Sequence, residues 1–152
     1  MARAESWRHP LPVRAQEQSP WGWRWSAARD AWRMHTGVDL IVPAGTPVLA
    51  ARSGLVVLAE SVQGYGLTVL VDHGDGWQTL YAHLEAMAVH PGEVVARGQQ
   101  LGRVGDTGSA STPHLHLELR RRSERGVEAV NPTVLLQSSS STSGLIVQSA
   151  SG

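Results

Sequence analysis

The chain contains no cysteine, which excludes disulfides, thiol nucleophiles, iron–sulfur clusters and cysteine zinc knuckles. It contains no lysine either, since all thirteen basic residues are arginine. Mechanisms that need a side-chain amine are thereby removed, among them Schiff bases, the P-loop lysine and lysine-linked biotin or lipoate. No window approaches the roughly eighteen apolar residues of a spanning helix. The first twenty residues carry Arg3, Glu5, Arg8 and Arg14 and show no apolar export signal. Charge is scarce at 17%, and thirteen Asp and Glu cancel the thirteen Arg. Without a net field, nucleic acid and anionic membranes are not expected partners. Any metal chemistry must rest on His, Asp and Glu.

What is present points to strands. The 152 residues are enough for one ordinary domain, and Gly 16 with Pro 8 suits short strands joined by tight turns. Short apolar runs occupy Val38–Val42, Pro47–Ala51, Leu55–Ala59, Leu67–Val71, Gln78–Leu84, Val94–Ala96, Leu101–Val104 and His114–Arg120. Turn sequences such as Pro43-Ala44-Gly45, His73-Gly74-Asp75-Gly76 and Pro91-Gly92 separate them. No run keeps helical spacing over ten residues. The expected fold is all-β, a compact antiparallel sandwich or barrel with few or no helices. Residues 1–20, with three prolines and no period, are expected as a loosely held arm or linker end. The folded unit is expected over 21–137, and the Ser-rich stretch 138–152 as a tail. Trp21, Trp23 and Trp25 alternate as on a strand with one aromatic face; Ser26–Trp32 fits a single helical turn as well. These tryptophans, with Trp32, are read first as packing residues and second as a binding wall.

The chemistry concentrates around the histidines. In Met34-His35-Thr36-Gly37-Val38-Asp39-Leu40, an even spacing puts His35 and Asp39 on one face of a strand, and Gly37 between them leaves room for an ion. In Pro113-His114-Leu115-His116-Leu117-Glu118-Leu119, leucines line one face and His114, His116 and Glu118 the other. The same alternation gives His83 a face shared with Tyr81, Thr79 and Trp77. A catalytic zinc site uses three protein ligands and keeps a fourth position for water, and imidazole with carboxylate suits it. His9, His73 and His90 read as solvated loop histidines, and Arg120, Arg121, Arg122 and Arg125 as a solvated strand end.

The segments MHTGVDL, GYGLTVLVDHGDGWQTLYAHL and PGEVVARGQQLGRVGDTGSASTPHLHLEL, followed by Asn131-Pro132, resemble the lysostaphin-type, or LytM-like, zinc metallo-endopeptidases of bacterial cell walls. The resemblance covers about Met34 to Leu136 and keeps three motifs in order. It implies a β fold with a central groove and one zinc ion held by His35, Asp39 and His116. It also implies that His83 and His114 act on the substrate, His114 moving the proton and His83 donating to the oxyanion, with the roles exchangeable. Glu118 and Tyr81 are candidates for supporting the ligands. The implied substrate is a peptidoglycan peptide, either a glycine bridge or a direct stem cross-link, and the implied location is outside the cytoplasmic membrane. A monomer is expected. Some relatives carry a tyrosine just before the first metal histidine; here the first tyrosine is Tyr65, and Trp25, Arg29, Asp30 and Trp32 precede His35 instead.

Three rival readings remain. A catalytically silent relative would activate wall amidases through the same groove; all five site positions are present here, which argues against it. A biotinyl or lipoyl carrier, suggested by GEVVARGQQLGRVG, fails for want of lysine. A binding module without turnover, using the tryptophans as a glycan wall, leaves His83 and His114 unexplained.

Overall fold

The computed structural model describes residues 5–137. The expected Ser-rich tail lies outside the described residues. The first strands are β1 (Glu17–Ser19), β2 (Gly22–Ser26), β3 (Ala31–His35), β4 (Val38–Ile41), β5 (Pro47–Leu49) and β6 (Gly54–Val62). They are followed by β7 (Gly66–Gly74), β8 (Trp77–Met87), β9 (Val94–Val95), β10 (Gln100–Val104), β11 (His114–Ser123) and β12 (Gly126–Val130). All pairings are antiparallel, and a short helical turn over 133–137 follows the last strand. The all-β expectation is met, with every expected run falling on a strand.

Ten strands form one sheet in the order β1-β4-β11-β8-β7-β6-β9, with β12 beside β11 and β10 bridging β8 and β5. The alternation of β11 turns Leu115, Leu117 and Leu119 into the core, where each is at most 1% exposed. They pack with Leu40, Val48, Val69, Val71, Tyr81 and Leu101. The sheet is thus apolar under the strands that carry the histidines, and this core fixes their register.

Two expectations are corrected here. Within residues 5–20 the chain is not loosely held: Trp7 and Leu11 are buried in the core. Trp7 meets the rings of His73 and Trp77 edge-on, at centroid distances of 5.3 and 6.1 Å. The prolines that suggested a loose arm remove donors but leave acceptors, and Leu49 N–H donates to Pro10 O at 2.7 Å while Arg8 N–H donates to Ala51 O at 2.8 Å. Trp23, Trp25 and Trp32 are not packing residues of the core either. β2 and β3 form a separate two-stranded hairpin, on which Trp23, Trp25 and Trp32 are 69%, 51% and 64% exposed. The hairpin turns through Ser26–Ala31 without a helix.

Candidate metal centre

The site is assembled where β4, β11 and β8 lie side by side. In the β4–β11 ladder Asp39 sits directly opposite His116, and Ile41 opposite His114. Directly opposed residues project to the same face of an antiparallel pair, so the Asp39 carboxylate and both β11 imidazoles converge above the leucine layer. His116 Nδ1 lies 2.8 Å from Asp39 Oδ1. His35 is the last residue of β3, and its Nε2 lies 3.2 Å from Asp39 Oδ2. One ligand atom from each of His35, Asp39 and His116 lies within 4.8 Å of the other two.

The glycine between His35 and Asp39 acts differently from the expectation. The chain leaves the hairpin and joins the main sheet there, so the two residues are not on one strand. A Cβ on Gly37 would stand 2.4 Å from Leu117 O and 2.8 Å from His116 Cε1. Its bare backbone makes room for β11 and for the His116 ring, with no side chain able to fit between.

His83 reaches the site by breaking the alternation that seemed to place it. On β8, Ala82 opposes His116 and Tyr81 opposes Leu117. A regular strand would therefore send His83 to the leucine face with Tyr81. Instead His83 adopts φ 62°, and β8 changes partner at this point, from β11 up to Ala82 to β10 from Leu84 onward. The left-handed residue turns the ring to the metal face, where its centroid is 4.7 Å from that of His114 and 6.0 Å from that of His116. A non-glycine residue in this region stores strain of order 1–3 kcal/mol, which surrounding bonds must hold. His83 N–H donates to Tyr65 O at 2.8 Å, and Gly105 N–H donates to His83 O at 3.1 Å. Tyr81 stays behind, fully buried, its Oη accepting from Ala51 N–H at 2.9 Å and paired with Thr79 Oγ1 at 2.7 Å, so it is not placed to support the metal-donor cluster.

Each imidazole is oriented through its second nitrogen. His35 Nδ1 pairs with Pro20 O at 2.7 Å, His83 Nδ1 with Thr107 O at 2.7 Å and His114 Nδ1 with Thr112 O at 2.8 Å. A carbonyl can only accept, so these rings carry hydrogen on Nδ1 and, when neutral, present a bare Nε2. His116 is reversed: Nε2 lies 2.9 Å from Glu118 Oε2, which leaves Nδ1 for the ligand position. Glu118 is 1% exposed and is held in turn by Tyr65 Oη at 2.8 Å, Thr36 Oγ1 at 3.1 Å and Arg120 Nε at 2.9 Å. A ligating histidine backed by a carboxylate is the arrangement that fixes tautomer and raises basicity. Tyr65, Thr36, Thr107 and Pro20 were not named as site residues from sequence. Tyr65 comes from the Gly64-Tyr65-Gly66 turn, where a Cβ on Gly66, at φ 71°, would stand 2.4 Å from Thr107 Oγ1. That close approach seats the tyrosine loop against the Thr107 loop.

The electrostatics favour a cation. Burial opposes the charge on Asp39, but hydrogen bonds from His116 and His35 outweigh it and hold the carboxyl well below its ordinary range. Burial also opposes the charge on His116, and there the bonds to Asp39 and Glu118 win, pushing it up to about 9. Glu118, buried yet bonded to His116 and Tyr65, is brought down to about 2. His83 is pushed down by burial, against the pull of Thr107 O. Two carboxylates held below their ordinary range thus flank the two ring nitrogens of His116, a negative setting suited to a divalent ion. Donor type, spacing and outer support all fit a metal with two imidazoles and one carboxylate. Of the remaining histidines, His90 is exposed as expected, whereas His73 is half-buried between Ser53 O and Thr79 Oγ1 at 2.9 and 2.7 Å.

An antiparallel β fold with a His, Asp, His cluster that could hold a metal and two further histidines beside it fits the metallopeptidase class of site. Residues 33–132 match the model of Peptidase family M23, and the chain belongs to that family. It is 43% identical over 102 residues to the DD-carboxypeptidase/endopeptidase Mpg of Neisseria meningitidis, covering 67% of this chain and 24% of the relative. It is 42% identical over 88 residues to the murein hydrolase activator EnvC of Escherichia coli, covering 58% and 20%. The chain therefore spans about a quarter or less of these relatives' length. Among solved structures it resembles the catalytic domain of lysostaphin from Staphylococcus simulans, with TM-score 0.69, 30% identity and coverage of 80% and 92%. A zinc containing peptidase from Vibrio cholerae matches with TM-score 0.74, 25% identity and coverage of 87% and 40%. The lysostaphin-type resemblance read from the motifs is thereby established.

Proposed function

We propose that the chain is a zinc-dependent endopeptidase that hydrolyses peptide bonds in peptidoglycan, with His35, Asp39 and His116 as zinc ligands and His83 and His114 as the catalytic pair. The observation that carries this reading is the convergence of His83 and His114 on the metal-donor face with their Nδ1 atoms locked to carbonyls. A pure binding module has no use for two oriented imidazoles beside its metal. Zinc, when bound, supplies a Lewis acid that acidifies water to near neutral pH and polarises a carbonyl. The protein's own part is proton traffic. A neutral ring of the pair accepts the proton of the attacking water at Nε2 and returns it to the leaving amine. Its protonated neighbour donates to the developing oxyanion. Such a base contribution is worth about 10²–10⁴-fold in rate and an oxyanion donor about 10²–10³-fold. Because both rings carry the same lock, the two roles can be exchanged.

All five groups come from one chain, which supports a monomeric active unit. A peptidoglycan substrate supports a location outside the cytoplasmic membrane. The second reading, a silent activator of wall amidases, has a relative of that name to recommend it. It is disfavoured because every metal and catalytic position is filled here. The test is release of new amino groups from purified peptidoglycan by zinc-loaded and chelated protein. Release with zinc and none after chelation supports the peptidase. Zinc bound without release, on stem-linked and glycine-bridged walls alike, sinks the enzyme reading and favours the activator.

A further inference from the structure

The β2–β3 hairpin places an unusual pair beside the metal donors. Arg24 and Arg33 are directly opposite each other in its ladder. Side chains so placed leave the same face with Cβ atoms about 4.5–5.5 Å apart, and like charges there repel. The hairpin offers no relief: it carries Arg29 as well, and its one acid, Asp30, is in the turn. Among the described residues no carboxylate lies within ion-pair distance of either guanidinium. An uncompensated cross-strand pair of this kind is suited to receiving an anion.

Its position says where the anion would lie. Gly22 pairs with His35 in the same ladder, so by alternation Arg24 and Arg33 share the face of His35, while Trp23, Trp25 and Trp32 take the other. Arg24 lines the groove that contains His35, Asp39, His83, His114 and His116. Arg24, Arg33 and His35 line an adjoining recess. A second contact ties Arg24 to the metal-donor strand: its Nη1 donates to Ser19 Oγ, and Ser19 lies directly opposite Asp39 in the β1–β4 ladder.

We propose that Arg24 and Arg33 form a carboxylate-binding subsite. The substrate is then a peptide cross-link with a free carboxylate next to the scissile bond, and not a neutral oligoglycine bridge. This rests on the peptidase reading above and narrows it. In a direct cross-link through a diamino dicarboxylic acid, the nitrogen that leaves the carbonyl sits on a carbon bearing a carboxylate. A guanidinium fork beside the metal site pairs with that group, and the second arginine completes its charge compensation. A glycine bridge offers only neutral peptide at the same position.

The experiment uses two cross-linked peptide dimers that differ only in whether this carboxylate is free or converted to the carboxamide. Zinc-loaded protein is expected to cleave the free acid with a kcat/KM about tenfold higher, the size of one charge-assisted hydrogen bond. In the double variant Arg24→Gln, Arg33→Gln that ratio is expected to fall to near one, and Arg24→Lys, Arg33→Lys is expected to restore part of it. Equal cleavage of both dimers by the native protein, or an unchanged ratio in the glutamine variant, overturns the proposal. Binding of the uncleavable amine-side fragment, followed by NMR titration, separates this from failure of the peptidase reading. If neither dimer is cleaved but the fragment loses about tenfold in affinity on amidation, and only while both arginines are present, the subsite stands without the enzyme. Inorganic phosphate that displaces the fragment at equal concentration would reveal a general anion site and overturn the peptide assignment.

Discussion

The β4–β11–β8 layer and the β2–β3 hairpin lie next to each other and meet at His35, yet they are built on opposite terms. In the first, Leu115, Leu117 and Leu119 are at most 1% exposed, and every polar group above them has a partner. In the second, three tryptophans and both cross-strand arginines face solvent. The layer holds reactive groups at fixed distances because its register is set by a buried leucine face. The hairpin has no such face, so its residues are available to a substrate. On the proposed reading, chemistry falls to the rigid part and selection to the exposed part, and the two join at His35.

The sharpest way to break this contrast is at the ligands. His116→Ala removes the one donor that is backed by Glu118, and dialysed protein is expected to retain no zinc and show no cleavage; metal analysis checks the first and amino-group release the second. Next is stability. Leu117→Ala, in the buried face, is expected to lower unfolding free energy by about 2–5 kcal/mol. Trp32→Ala, on the hairpin, is expected to cost no more than about 1 kcal/mol, the size of its edge-on contact with Trp25 at 5.8 Å. Urea unfolding of both variants measures the difference, and equal losses would end the distinction between the two regions. Glu118→Gln is expected to weaken zinc affinity about 10- to 100-fold while leaving all three ligands in place; competition with a chelator reads this directly.

The smallest effect is the pH dependence of the layer's far side. His73 is held below its ordinary pKa by burial, which outweighs its bond to Ser53 O, and His9 is lowered by burial too. Below about pH 6.5 the unfolded chain takes up these protons and the folded chain does not. Stability of zinc-loaded protein is therefore expected to be full above that pH and to decline as pH falls through the depressed folded values. His73→Gln should flatten the decline in a thermal melt series, and a slope unchanged by it would contradict the assignment.

Much of this was legible in the residues, for a simple reason. Leucines at 115, 117 and 119 mark a strand face without ambiguity, so the opposite face with His114, His116 and Glu118 followed at once. The strands themselves were legible because turns rich in Gly and Pro bound each one. What failed were the exceptions to alternation. Parity gave His83 the face of Tyr81, and only a positive φ at a change of strand partner brings it to the metal donors; no local pattern announces such a residue. Gly37 was noticed for the right absence and the wrong neighbour, since its missing side chain admits β11. The prolines around Trp7 and Leu11 read as an arm, whereas their burial is decided by long-range contacts, Trp7 against His73 of β7 and Trp77 of β8 and the neighbouring Pro10 O accepting from Leu49 of β5. Tyr65, joined to Glu118 from 53 residues away, depends on contacts that spacing alone does not contain.

On the proposed reading, two neighbouring histidines of β11 do different work, His116 holding the metal and His114 handling protons. The most direct measurement compares zinc content and peptidoglycan cleavage in His114→Ala and His116→Ala. His114→Ala is expected to keep one zinc per chain and lose cleavage by at least about 100-fold, while His116→Ala is expected to lose both. Zinc loss in His114→Ala, or undiminished cleavage by it, would contradict the account.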